Sequence, residues 1–312
     1  MDRKIKYTVD LSPYLQYSTN EALKQVGCQP IMFPISKAIV DSIYVASDTC
    51  MIAHFDKVCK LAQDWEYGFA ASDESIPWCN VRFGIRDKRP AVERKKDKKF
   101  YLQFCREYGE WVEKNRAHEL ASIPELKNLF DLLLTFEKEC QQVFLEKLKE
   151  IAAIYPEANK LLYNYRGEQR VPISIRVITY ENEDHFSVSP HFDKAAMTIL
   201  MPSDDNPDEE CLIVAPADGT IFDPEKLRRV VRPLYNDSNS TSCALFITGA
   251  MLQEIGVPVP PTPHAVLPHN RVLRHVLVAF CNIPYLDTKH LTFNIVYKKE
   301  MPNNFIERFK PI

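Results

Sequence analysis

From residue 171 onward the chain breaks into short, β-rich runs separated by turn residues. The runs are Val171–Tyr180, Ala196–Met201, Cys211–Val214, Cys243–Thr248, His264–Leu267 and Val272–Cys281, followed by Leu291–Tyr297. Six or seven such strands within about 125 residues predict an antiparallel sandwich or barrel. Between them, Pro202–Glu210 reads as an acidic turn and Asn236–Thr241 as a polar loop.

The preceding part has a helical texture. Residues 119–153 place Leu126, Phe130, Leu133, Leu134, Phe144, Leu145, Leu148 and Ile151 mostly at helical spacing, which predicts two packed helices or one long one. A second helix is predicted over Ser47–Ala71, with Ser47-Asp48 as its cap and Gly68 as its stop. With 312 residues, 46% of them hydrophobic, the chain can bury the core of one large domain. The expected organisation is a mixed, helical scaffold over 1–165 and a β catalytic region over 166–312, forming one integrated unit.

Several function classes are set aside. A net charge of −3 gives no nucleic-acid footprint, and the basic run from Arg86 to Lys99 reads as a solvated connection. The nine cysteines include no CxxC pair, which argues for free thiols in a reducing compartment. Only eight glycines occur, and no phosphate-cradling GxGxxG or GxxxxGK is present. The polar start, Met1-Asp-Arg-Lys, lacks a signal peptide's apolar stretch, and no run of about 18 apolar residues is found. A cytoplasmic protein without membrane or nucleic-acid partners is therefore expected.

Ser189-Pro-His-Phe-Asp193 contains an H-x-D. On an extended segment His191 and Asp193 project to one face and reach one metal together. Further on, Thr262–Arg274 reads as a strand, a Pro-His-Asn turn and a returning strand. A hairpin centred on His269 would set His264 opposite Arg274, and Val266 opposite Val272, on one face. An inward arginine requires an anion, best held by two parallel hydrogen bonds. Two imidazoles and one carboxylate on one side of a metal leave the opposite positions open, as in non-haem Fe(II) oxygenases; zinc also accepts such ligands. The arginine favours iron with a carboxylate-bearing cosubstrate.

These residues resemble the 2-oxoglutarate/Fe(II)-dependent dioxygenase superfamily, on its isopenicillin N synthase-like branch. Trp65-Glu-Tyr-Gly-Phe69 resembles its W-G-F-F signature, and Arg176-Val-Ile-Thr-Tyr180 its R-x-N-x-Y strand. His191-Phe-Asp193 followed by Met197-Thr-Ile-Leu200 resembles H-T-D-x-x-x-x-T-L-L. Gly249-Ala-Met-Leu252 resembles G-D-M-L, Thr262-Pro-His264 resembles T-P-H-R-V, and Arg274 falls at the family's cosubstrate arginine. The chain departs from the pattern at Ala265, Ala250, Val276 and Ile178, so the cosubstrate pocket is altered.

The resemblance implies a double-stranded β-helix, or jelly roll, packed on N-terminal helices. It implies Fe(II) on His191, Asp193 and His264, with 2-oxoglutarate as cosubstrate, bound by Arg274 and hydrogen-bonded by Tyr180. O2 would oxidise a small-molecule or peptide substrate, releasing succinate and CO2, with no catalytic group beyond the metal ligands. Arg176, on a strand lining the barrel, is a candidate for an anionic substrate group. His269 is expected on the turn, His275 on the opposite face of Arg274's strand, and His185 in a polar loop. Two alternatives stay open: an iron oxidase that dispenses with 2-oxoglutarate, and a barrel that binds a ligand without redox chemistry. Neither the substrate nor the oligomeric state is written in these motifs.

Overall fold

A computed structural model describes residues 7–54, 57, 85–86, 99–163, 167–181, 187–202, 211–216, 221–233, 242–268, 273–282 and 296–297. The strands are β1 (Thr8–Asp10), β2 (Gln29–Phe33), β3 (Ile85–Arg86), β4 (Lys99–Phe104), β5 (Ile173–Glu181), β6 (Val188–His191) and β7 (Met197–Pro202). They continue with β8 (Leu212–Val214), β9 (Ile221–Phe222), β10 (Arg228–Val231), β11 (Ser242–Thr248), β12 (His264–Val266), β13 (Leu273–Cys281) and β14 (Val296–Tyr297). The helices are α1 (Thr19–Val26), α2 (Lys37–Ala53), α3 (Arg106–Asn115), α4 (Ala117–Ala121), α5 (Pro124–Ile154) and α6 (Met251–Glu254).

Two sheets dominate. One runs β1-β10-β8-β12-β6 and the other β2-β11-β7-β13-β5-β4-β3. Alternation sorts the larger sheet's side chains between two cores. Ile178, Tyr180, Leu200, Leu245, Ile247, Val276 and Val278 join Ile213, Val214 and Val266 of the smaller sheet in one apolar cluster. Their sequence neighbours Val177, Ile199, Met201, Phe246, Leu277 and Ala279 pack in a second cluster that includes the helices. The site occupies the first of these spaces.

Helix α5 is the main support of the outer face. Residues 124–154 form one continuous helix, with Pro124 in its first turn, where a missing N–H costs nothing. Its buried side includes Leu126, Phe130, Leu133, Phe136, Phe144, Leu148 and Ile151, while Leu134 and Leu145 are only partly buried. Phe136 meets Phe33 of β2, and Phe130 meets Phe104 of β4, at 5.3 and 5.1 Å between centroids.

Helix α2 starts earlier than the sequence predicts. Ser36 is its cap, with the side chain accepting from Ile39 N–H, so Ser47 and Asp48 lie in the helix interior. Ser47 is buried and Asp48 is turned to β13, which explains polar residues where a cap was expected. Strand β2 was not foreseen, because Pro30 breaks its pattern; β2 lies at the end of its sheet, where a missing N–H is tolerated.

The predicted hairpin is absent. β12 lies between β8 and β6 in the smaller sheet, and β13 lies between β7 and β5 in the larger one. Both edges of β12 are occupied by β6 and β8, so no edge remains for β13. Val272 and His269 fall outside the described residues, as do Trp65–Phe69, Gly68, His185, most of the basic run and the 236–241 loop. Among the described residues, no helix is long and apolar enough to cross a membrane.

Candidate metal centre

His191 is the last residue of β6, and its cross-strand partner is His264, the first residue of β12. Their ring centroids are 4.2 Å apart. Asp193 follows two residues after the end of β6, in a loop rather than on the strand itself. One ligand atom from each of the three residues lies within 4.8 Å of the others, and this is the one such grouping among the described residues. Asp193 Oδ1 is 3.7 Å from His191 Nε2 and 3.8 Å from His264 Nε2. Ligand atoms each about 2.1 Å from one ion stand at most about 4.2 Å apart, and both separations fit.

The surrounding hydrogen bonds aim these atoms. Thr198 on β7 donates to Asp193 Oδ2 at 2.7 Å, leaving Oδ1 to face the histidines. His264 Nδ1 lies 3.0 Å from Thr262 O. A proton on Nδ1 donated to that carbonyl leaves the Nε2 lone pair for a metal. Thr262 is fully buried, and its hydroxyl donates to Gly27 O at 2.7 Å, fixing the segment that leads into β12.

The turn after β11 holds the Asp193 loop. Ala250 N–H donates to Asp193 O at 2.9 Å, and Gly249 N–H donates to Ala196 O at 2.9 Å. A β-carbon on Gly249 would stand 2.0 Å from Ala195 O and 3.0 Å from Asp193 O. Glycine is required there by close backbone approach. The Gly-Ala-Met-Leu motif therefore serves the carboxylate ligand, and Ala250 acts through its backbone.

The three ligands differ in access. The His191 side chain is 36% exposed, against 4% for His264 and 9% for Asp193, so the centre opens on the His191 side. The donor set suits iron(II): two imidazoles and one carboxylate would fill three of the six positions of an octahedral ion.

Among the described residues, Arg274 is the bulkiest fully buried side chain, at 2% exposure. It shares a face of β13 with Val276 and Val278, in the space between the sheets. His264 and Arg274 thus come from opposing sheets, not from one hairpin. Across β13–β5, Arg274 pairs with Tyr180, and its guanidinium carbon lies 6.0 Å from that ring's centre. Val276 pairs with Ile178, so the next rung on the inward face after Arg274–Tyr180 is wholly apolar.

Arg176 shares Tyr180's face of β5. Its guanidinium lies between the rings of Tyr101 and Phe280, 5.1 Å from each centroid, and Nε donates to Gln103 Oε1 at 3.3 Å. Phe280 pairs with Thr198, the residue that holds Asp193. His275, one residue beyond Arg274, points to the other face, where Nε2 lies 2.8 Å from Asp48 Oδ2. Thr198, Tyr101 and Gln103 carry no metal- or ligand-like spacing in the sequence, and Asp48 stands there as part of an expected helix cap.

No protein-family profile and no curated protein matches this chain. Solved structures do. The dioxygenase for auxin oxidation from Arabidopsis thaliana, solved with 2-oxoglutarate, aligns at a TM-score of 0.57 and 13% identity, over 91% of this chain and 98% of that one. A full-length protein from Neurospora crassa, solved with α-ketoglutarate and 5-formyluracil, gives 0.54 and 16%, over 89% and 84%. A protein of the 2OG-Fe(II) oxygenase family from Caulobacter crescentus gives 0.55 and 15%, over 90% and 87%. The fold of this chain is the double-stranded β-helix of such oxygenases, as the motifs implied.

Proposed function

We propose that this chain is an iron(II)- and 2-oxoglutarate-dependent oxygenase acting on a small-molecule or peptide substrate, with residues 1–165 and 166–312 working as one unit. The observation that carries this reading is the pairing of two features in one interior. His191, Asp193 and His264 present a facial donor set, and a fully buried arginine, Arg274, faces the same space from the opposite sheet. Two of the similar structures were solved with 2-oxoglutarate, which supports the same cosubstrate here.

Bound at this centre, iron(II) with 2-oxoglutarate and O2 supplies oxidising chemistry that amino-acid side chains lack. His191, Asp193 and His264 hold the metal and leave one side of it open. Arg274 would clamp the far carboxylate of 2-oxoglutarate, with Tyr180 offering its hydroxyl beside it. The apolar pair Val276–Ile178 keeps water from that end. Arg176 would bind an anionic group of the substrate: its planar cation is oriented by Tyr101 and Phe280, and Gln103 takes its one hydrogen bond among the described residues. Carboxylic acids should then stimulate 2-oxoglutarate turnover more than their amides do; stimulation by the amides alone contradicts this assignment.

One observation favours a second reading. Val276 and Ile178, two of the positions at which the chain departs from the family's pattern, face each other on the inward rung next to Arg274 and Tyr180, a loss of hydrogen-bonding capacity there. An iron-dependent oxidase without 2-oxoglutarate fits that loss. Succinate release separates the two. Iron- and O2-dependent succinate formation from 2-oxoglutarate supports the oxygenase; O2 consumption with no succinate supports the oxidase.

A further inference from the structure

We propose that Tyr44 and Asp48 of α2, together with His275, form a clamp on the outer face of the larger sheet that positions Arg274 and Tyr180 for the cosubstrate carboxylate. This rests on the reading of Arg274 given above. Neither α2 residue faces the site, and all three are positioning residues rather than catalytic ones.

The clamp follows from strand register. Arg274 pairs with Tyr180 across β13 and β5, and both point inward. The adjacent rung is His275 opposite Thr179, and both point outward. A single carboxylate takes hold of this outer rung. Asp48 Oδ2 lies 2.8 Å from His275 Nε2, and Asp48 Oδ1 accepts from Thr179 Oγ1 at 3.4 Å. Asp48 therefore ties β13 to β5 directly behind the two inward residues.

Tyr44, one helical turn before Asp48, extends the hold to β7. Its ring stacks on His275 at 5.0 Å between centroids and 30° between planes. Its hydroxyl accepts from Leu277 N–H at 3.1 Å and donates to Met201 O at 2.6 Å. Leu277 and Met201 are cross-strand partners, so a phenol bridges this rung of the β13–β7 ladder. Three strands are thus fixed by two residues at i and i+4 on one helix face.

The position has a physical need for such a device. Arg274 is held in the β13–β5 ladder through its rung with Tyr180. An arginine fork binds a carboxylate well only when its angle and depth are fixed, because both parallel hydrogen bonds must form together. Anchoring the next residue from behind supplies that fixation without placing a polar group in the interior.

Calorimetric titration of Mn(II)-loaded protein with 2-oxoglutarate tests the clamp without turnover. Asp48→Asn, Tyr44→Phe and His275→Ala should each raise the 2-oxoglutarate Kd about five- to tenfold and leave Mn(II) affinity unchanged. His275→Gln, whose amide nitrogen can still reach Asp48, should restore most of the loss. In an Arg274→Lys background the same changes should alter Kd less than about twofold, since a point charge needs no fixed angle. Circular dichroism identifies any variant that fails to fold, and the remaining substitutions carry the test. An unchanged Kd in the folded variants, or an equal loss in the Arg274→Lys background, overturns the clamp alone. A wild-type protein with no affinity for 2-oxoglutarate overturns the cosubstrate reading and the clamp with it.

Discussion

His191 and His264 are direct partners across β6 and β12, with imidazole centroids 4.2 Å apart and both Nε2 atoms within 3.8 Å of the same Asp193 oxygen. Two imidazole nitrogens and a carboxylate oxygen are crowded together there. A divalent cation among them converts that crowding into coordination.

Replacing His191, Asp193 or His264 with Ala should therefore abolish stoichiometric Fe(II) binding while the protein stays folded. His275→Ala should keep its iron, because that ring faces Asp48 on the other side of the sheet. Metal analysis after anaerobic reconstitution reads both. Iron retained by all three ligand variants, or lost only in His275→Ala, contradicts the site.

The supports of Asp193 should matter almost as much as the ligand. Thr198→Val removes the 2.7 Å hydrogen bond to Oδ2. Loss of such a partner costs about ten- to a hundredfold in metal affinity. Gly249→Ala drives a methyl group into the Ala195 and Asp193 carbonyls. It should weaken metal binding and destabilise the fold by about 1–3 kcal/mol, the usual range for overpacking. A Gly249→Ala protein with unchanged melting temperature and iron content would show that the loop yields freely.

Arg274→Lys should weaken 2-oxoglutarate by about ten- to a hundredfold, since a charge-assisted hydrogen bond contributes about 1.5–3 kcal/mol. Iron affinity should hardly move, because the arginine lies on the opposite sheet from His191 and His264. Isothermal titration on the metal-loaded protein measures this. An unchanged constant would favour the oxidase reading.

The buried thiols give a test of the fold itself. Seven cysteines among the described residues are free and buried. Burial, reinforced by Glu125, pushes the Cys50 thiol up to about 12, and burial raises Cys140 and Cys281 as well. Alkylation requires the thiolate, so at pH 8 these three should stay unlabelled in the native protein and react in urea. Peptide mapping by mass spectrometry reads the outcome. Rapid native labelling of Cys140 or Cys281 contradicts their placement.

The grouping of His191, Asp193 and His264 was legible because it is carried by residue type and spacing. His191-x-Asp193 and a Thr-Pro-His segment survive in the chain, and the fold only has to bring them together. Arg274 does point into the interior, but not by the geometry the sequence suggests. The sequence suggested a hairpin, whereas consecutive strands β12 and β13 lie in opposing sheets and meet across the interior. Local pattern sets which face of a strand is apolar, but not which neighbour it pairs with. Thr198 and Asp48 were illegible for a related reason. A threonine in an apolar strand and an aspartate after a serine have common local uses, and only register shows what each one touches. Asp48, read as a helix cap, holds His275 instead.

The most direct measurement is the visible absorption of the Fe(II) protein under anaerobic conditions as 2-oxoglutarate is added. A keto acid that chelates iron(II) gives a metal-to-ligand charge-transfer band. The expected result is a saturable band in the wild type, the same band at higher 2-oxoglutarate concentration in Arg274→Lys, and none in His264→Ala. Stoichiometric iron with no band at saturating 2-oxoglutarate would contradict 2-oxoglutarate binding at His191, Asp193 and His264, and an undiminished band in His264→Ala would contradict the site.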